Sequence, residues 1–253
     1  MKNTGFWGGW LASGRRRSDR VVIMYHSVAE SPVIGHLTVT LESFKRQLDY
    51  LSRHYALGSV EDVMSDDGQP RAAITFDDGY AHLLDIAVPV LTERKIPATF
   101  YIPSGLMGQN IHTSYGATSV MEASDVLNLN NAGFTIGSHS VSHAFLPESS
   151  VENVRAELVN SKSELEDVLG MAVPEFAYPK GGYNRNVIEA VNSAGYSRAV
   201  TVVSRPVSAS DSLFEIPRSG VYQGTSFNRF RFNLSPAGDC YSRLRKLGVQ
   251  QLG

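Results

Sequence analysis

Short apolar runs alternate with stretches of helical spacing along most of the chain. Residues 21–25 form the first run, continuous rather than alternating, as expected of a strand buried on both faces. Residues 41–54 place Leu41, Phe44, Leu48 and Leu51 on one helical face, after Thr40 as N-cap. Further strands are predicted over 72–76, 98–102, 134–137, 176–178, 198–202 and 213–216. Helices are predicted over 80–94, 121–131, 151–169 and 185–194. Residues 104–119 are rich in Gly and Ser, lack periodicity and are predicted to form a long loop, which in compact domains is usually functional. Buried strands alternating with amphipathic helices argue for a parallel sheet. No Gly-x-Gly-x-x-Gly follows a strand, so a dinucleotide fold has no support. A closed barrel or an open doubly wound sheet remains, and in barrels the chemistry sits at the C-terminal strand ends.

Composition narrows this further. The 253 residues are 42% hydrophobic and 19% charged, which fits one domain and excludes disorder and coiled coil. No apolar run approaches the roughly 18 residues of a membrane span. The single cysteine, Cys240, excludes a disulfide framework and a thiolate zinc cluster. The net charge of -2 hides an uneven distribution: residues 1–20 hold five basic side chains and one acid, and residues 218–253 hold six and one. The chain therefore divides into a basic segment 1–20, a body 21–222 and a basic tail 223–253. Phe6, Trp7 and Trp10 before Arg15, Arg16 and Arg17 do not read as a signal peptide. A cytoplasmic or peripheral membrane location is expected, with an exported one left open. These aromatic and basic residues, and Phe227, Phe230 and Phe232 among Arg229 and Arg231, would suit an anionic membrane surface. Frayed or helical ends packed on the body are the plainer reading. No motif supports nucleic acid as a partner.

Three predicted strands end in polar motifs. The strand over 72–76 runs into Asp77, Asp78 and Gly79. Two carboxylates closing an apolar strand are costly to bury without a purpose, although Asp-Asp-Gly also reads as a turn. The strand over 134–137 leads to His139 and His143, whose spacing suits one shared metal if the segment turns, or two unrelated loop histidines. Imidazole nitrogens with a carboxylate suit zinc, with cobalt or nickel as alternatives. The strand over 176–178 leads to Pro179, Lys180, Gly181 and Gly182, a rigid turn whose amides could hold an oxyanion or merely connect strand to helix.

In this order the three motifs resemble the polysaccharide deacetylase family, also called carbohydrate esterase family 4 or the nodulation-protein-B homology domain. The resemblance covers about residues 20–220. It implies a distorted (β/α) barrel with about seven parallel strands in a single domain. It implies metal-dependent removal of acetyl groups from N-acetylated sugars of a poly- or oligosaccharide. Asp77 matches the family's catalytic base, and Asp78, His139 and His143 its metal ligands. The Lys180 N–H matches the oxyanion amide, and Pro179 and Gly181 its neighbours. Two departures stand out. Ala177 lies near where an arginine that orients the base is expected, and no histidine follows His143 to serve as general acid. Both resemble the poly-N-acetylglucosamine deacetylase branch, in which a histidine from the first strand serves instead. His26, closing the first predicted strand, is the candidate acid. Arg218, closing the last, is the candidate partner of Asp77, since a fixed cation keeps a carboxylate ionised.

Asp77 then takes a proton from a metal-activated water, and a protonated His26 donates to the leaving nitrogen, with a bell-shaped rate profile expected. Tyr80, Tyr115 and Tyr183 lie near the strand ends and are candidates to stack on sugar rings. An open groove would favour an acetylated amino-sugar polymer or oligomer. A pocket closed by 104–119 would favour a small amide or cyclic imide. A binding protein with a decayed site is the alternative from another class, given the two departures.

Overall fold

A computed structural model describes residues 19–30, 37–65, 68–113 and 116–242. Trp7, Trp10, Arg15–Arg17 and Tyr115 lie outside the described residues, as does the end of the basic tail. The chain runs through β1 (Arg20–Tyr25), β2 (Ser27–Ala29), β3 (Thr38–Thr40), α1 (Leu41–His54), β4 (Ala56–Gly58), α2 (Val60–Met64), β5 (Arg71–Phe76) and α3 (Leu83–Glu93). It continues through β6 (Thr99–Ile102), β7 (Asn110–Thr113), β8 (Gly116–Ser119), α4 (Ala123–Asn131), β9 (Thr135–Ser138) and α5 (Val151–Leu169). The last elements are β10 (Glu175–Ala177), α6 (Arg185–Ser193), β11 (Arg198–Val200), β12 (Ser219–Gly220) and α7 (Phe227–Asn233).

Seven parallel strands follow one another in the order β11-β10-β9-β6-β5-β1-β12, with β4 beside the first half of β5. The curled sheet is completed by residues 216–220. Ile216 bridges Val200 at the β11 edge, and Ser219 and Gly220 pair with Ile23 and Met24 of β1. The result is a distorted barrel with seven strands around the ring, as the resemblance implies.

Alternation along each strand separates two cores. Val21, Ile23, Ile74, Phe76, Phe100, Ile102, Ile136 and Phe176 face outward and pack under the helices. Val22, Ala73, Tyr101, Ala177, Val200 and Ile216 fill the interior. Val60 and Val63 of α2, together with Val207, pack onto this interior cluster. The Val207 N–H donates to Arg20 at the start of β1, so these residues plug the lower end of the barrel. Gly137 occupies an inward position because a Cβ there would run into the Tyr101 ring. Lower in the interior the Tyr101 hydroxyl and Arg198 both donate to Glu175, at 3.0 Å each.

Helix α1 begins as expected, with Thr40 Oγ1 accepting from the Ser43 N–H. The loop predicted over 104–119 instead contains the antiparallel hairpin β7–β8. Its polar strands carry no alternation, because backbone pairing rather than a buried face holds them. The strand predicted over 213–216 forms no regular ladder: the Leu213 carbonyl accepts from Ala199, Ile216 bridges Val200, and pairing resumes at β12. Past residue 222 the described chain forms α7 on the flank of α1. Phe230 is buried there and Arg46 stacks over Phe227 at 4.1 Å. Two of the aromatic residues read as suiting a membrane are thus packed on the barrel. No helix among the described residues is long and apolar enough to cross a membrane.

Candidate active site

Asp77 extends β5 by one residue, its N–H donating to the Tyr25 carbonyl at 3.0 Å. Its side chain therefore points into the barrel mouth. Strict alternation would send Asp78 the opposite way. The backbone avoids this by turning left-handed at Asp78 (φ 71) and Gly79 (φ 60), so that both carboxylates reach one site. Four of the five described non-glycine residues with positive φ lie in the site: Asp78, Ser140, His143 and Lys180. Such strained positions cluster where surrounding structure holds functional groups.

Arg218 is wholly buried beneath Asp77 and grips it with two parallel hydrogen bonds. Nη1 donates to Oδ1 at 2.6 Å and Nη2 to Oδ2 at 2.7 Å. Two further donations, to the Thr201 carbonyl (2.9 Å) and the Thr75 hydroxyl (3.1 Å), fix the guanidinium. Burial alone would raise the Asp77 carboxyl. The Arg218 charge reverses this and holds it below the usual carboxylate range. The cation that pairs with Asp77 thus comes from the segment that completes the barrel.

His139 and His143 stand on the loop after β9. His139 Nδ1 lies 2.8 Å from the Ala177 carbonyl oxygen, to which an N–H there donates, leaving the Nε2 lone pair toward Asp78. Asp78 Oδ1 is 3.5 Å from His139 Nε2 and 3.3 Å from His143 Nε2. One donor atom from each of the three residues falls within 4.8 Å of the others. A carboxylate and two imidazoles, one oriented from behind by a backbone carbonyl, fit a divalent ion of the zinc, cobalt or nickel type. Burial pushes His143 down to about 4, keeping it neutral as a ligand must be.

The Pro179–Gly181 turn is tight, with Lys180 (φ 56) and Gly181 (φ 68) both left-handed. Gly181 donates to Tyr178 and Gly182 to Pro179, which leaves the Lys180 N–H outside the turn's own hydrogen bonds. A Cβ on Gly181 would collide with Val202. Lys180 and Gly181 line the cleft, while Pro179 is buried behind them.

His26 lies in the same cleft, half-buried as a residue, and its buried Nδ1 has no partner among the described residues. Burial holds it below its ordinary pKa despite Asp78 and Asp77 nearby. Tyr80 lines the cleft beside Asp78. Tyr183 does not line either hollow; it stacks on Tyr178, which does, with ring centroids 5.0 Å apart. Tyr222 is a residue that sequence reasoning missed. It faces His26, with centroids 6.5 Å apart, and no motif marks it.

The cleft has two hollows that meet at Asp78, His143 and Lys180. One, of about 410 Å³, holds His26, Asp77 and Tyr222. The other, of about 390 Å³, is bounded by Tyr80, Leu106, Ile111 and His112. The hairpin thus walls one side without closing the mouth.

The polysaccharide deacetylase family model matches residues 65–199. YxkH of Bacillus subtilis (strain 168), named provisionally as a polysaccharide deacetylase, is 24% identical over 216 residues, 83% of this chain and 74% of that protein. The Streptococcus pyogenes deacetylase PplD, solved with acetate, shares the fold at a TM-score of 0.75 and 21% identity, over 87% of this chain and 100% of that one. IcaB from Ammonifex degensii does so at 0.73 and 21%, over 88% and 96%.

Proposed function

The chain belongs to the polysaccharide deacetylase family, and on that premise we propose that it hydrolyses the acetamido groups of an N-acetylated amino-sugar polymer or oligomer, in the manner of the poly-N-acetylglucosamine deacetylases. The observation that carries this reading is the buried Arg218–Asp77 pair set against the Asp78, His139 and His143 cluster. A carboxylate kept ionised in an apolar enclosure is what a general base requires.

A divalent ion held by Asp78, His139 and His143 would polarise the acetyl carbonyl and lower the pKa of a bound water. Asp77 takes the water's proton as the carbonyl carbon is attacked. The Lys180 N–H donates to the oxygen that gains charge. His26 in its protonated form donates to the departing nitrogen, which would otherwise leave as a poor amide anion, and the proton that Asp77 took from the water restores the balance. Acetate and a free amino sugar result. The two joined hollows support an extended substrate over a small cyclic imide, since the hairpin wall leaves the mouth open. The presence of base, cation and all three metal-ligand positions speaks against a decayed binding protein.

Acetate release from N-acetylglucosamine oligomers, with zinc, cobalt or nickel restored to chelated protein, tests the reading. Asp77→Asn should retain metal and lose at least about 10²-fold in rate. A fully active variant would remove Asp77 as base. No acetate from any oligomer or polymer would sink the deacetylase assignment.

A further inference from the structure

Helix α5 presents three polar side chains, Glu157, Ser161 and Glu164, at helical spacing toward the loop that bears His139 and His143. The Ser161 hydroxyl meets that of Ser138, at the end of β9, at 2.6 Å. Glu164 accepts from the Ser104 hydroxyl at 2.5 Å. Ser104 and Gly105 in turn donate their N–H groups to the carbonyls of Ser140 and Val141, at 3.0 Å each. Glu157 makes the densest contact. Its Oε2 accepts from the N–H groups of both Val141 and Ser142 at 2.9 Å, and its Oε1 accepts from the Ser142 hydroxyl at 2.6 Å.

These bonds satisfy a specific need. The chain turns left-handed at Ser140 (φ 63) and again at His143 (φ 58). Between them the two N–H groups have left the strand ladder. One carboxylate supplies acceptors for both, and it does so in the stretch that separates the two histidines. Partial burial would raise the Glu157 carboxyl, but the hydrogen bonds from Ser142 and Val141 outweigh it and keep the group ionised.

We propose that Glu157 is a positioning residue that sets the affinity of the Asp78, His139 and His143 site for its divalent ion, by holding the 140–143 turn so that His143 meets the other two ligands. The inference rests on the metal-site part of the proposed function, and not on the substrate. Ligand-orienting groups of this kind change metal affinity by about 10–100-fold when removed.

The test is a cobalt titration of the chelated full-length chain, followed by visible absorption, with zinc competition. Glu157→Ala should weaken cobalt binding about 10–100-fold and alter the ligand-field bands. Glu157→Gln should lose less, because its carbonyl oxygen still accepts the two N–H bonds. Glu152→Ala, exposed on the same helix, should bind as wild type. Wild-type affinity and spectrum in Glu157→Ala would overturn the proposal. If that variant does not fold, an undiminished affinity in Glu157→Gln overturns it. A wild-type chain that binds no cobalt or zinc overturns both this and the metal-dependent reading. Tight binding without acetate release overturns only the deacetylase assignment.

Discussion

Asp77 and Asp78 are chain neighbours, yet their surroundings assign them opposite tasks. Asp78 faces two imidazoles across the cleft, and Asp77 faces a guanidinium from below. A buried ion pair broken by removing one partner leaves an uncompensated charge, at a cost of about 3–5 kcal/mol. Asp77 would lessen that cost by binding a proton, because burial alone drives its pKa upward. Arg218→Ala should therefore move the acidic limb of the kcat/KM–pH profile upward by at least about one unit. The rate near neutrality should fall on the order of 10²-fold. Initial rates from pH 4 to 9 check this, and an unmoved limb would show that Arg218 does not act through Asp77. The family resemblance places such an arginine beside β10, where Ala177 stands, and the sequence marks Arg218 only by its place after Ile216 and Pro217 at a predicted strand end.

At the scale of elements, the strands that carry chemistry were legible because they are buried on both faces and read as short, mainly apolar or small-residue runs without charge in their middles. β1, β5, β6 and β9 fall within a residue or two of expectation. The short β2, β3 and β4 escaped notice, since three residues hold no period. The β7–β8 hairpin escaped for another reason. Its strands are exposed and polar, and its base is tied to the Asp-Asp loop by backbone bonds that no side-chain pattern announces, Ala81 N–H to Ser119 and Met121 N–H to Gly79. Two acids of α5, Glu164 on the exposed side and Glu157 half-buried, also hold loops, which spacing alone does not announce. The hairpin wall carries its own prediction. Replacing residues 111–118 with two glycines should raise KM for a long N-acetylated oligomer several-fold and leave kcat within about twofold, as expected when binding equal in ground and transition states is lost. An unchanged KM would remove Ile111 and His112 from the binding surface.

Over the whole molecule, charge couples stability to pH in a definite direction. Asp77, Asp78, Glu157 and Glu166 all have carboxyls held below their ordinary values in the folded chain. For each, burial opposes the charge and hydrogen bonds or cations outweigh it. Each contributes stability above its unfolded pKa of about 4 and loses it as pH falls through the lower folded value. Glu175 runs the other way, raised by burial despite Arg198, so its share is lost as pH rises. The carboxyls stand four against one, and among the histidines His26, His82 and His143 are lowered against a raised His139, so the urea midpoint of the metal-free chain should fall steadily from pH 6 to pH 3. A midpoint that rose on acidification would contradict the balance. The segment 216–220 adds a consequence in time. It joins β12 to β1 across about 200 residues of sequence, the kind of non-local pairing that forms late in folding. Arg218 travels on that segment. During synthesis, Asp77 emerges long before the cation that pairs with it. On the proposed mechanism, a chain halted before residue 218 would carry its candidate metal ligands without a working base, and the last stitch of assembly would switch the catalyst on.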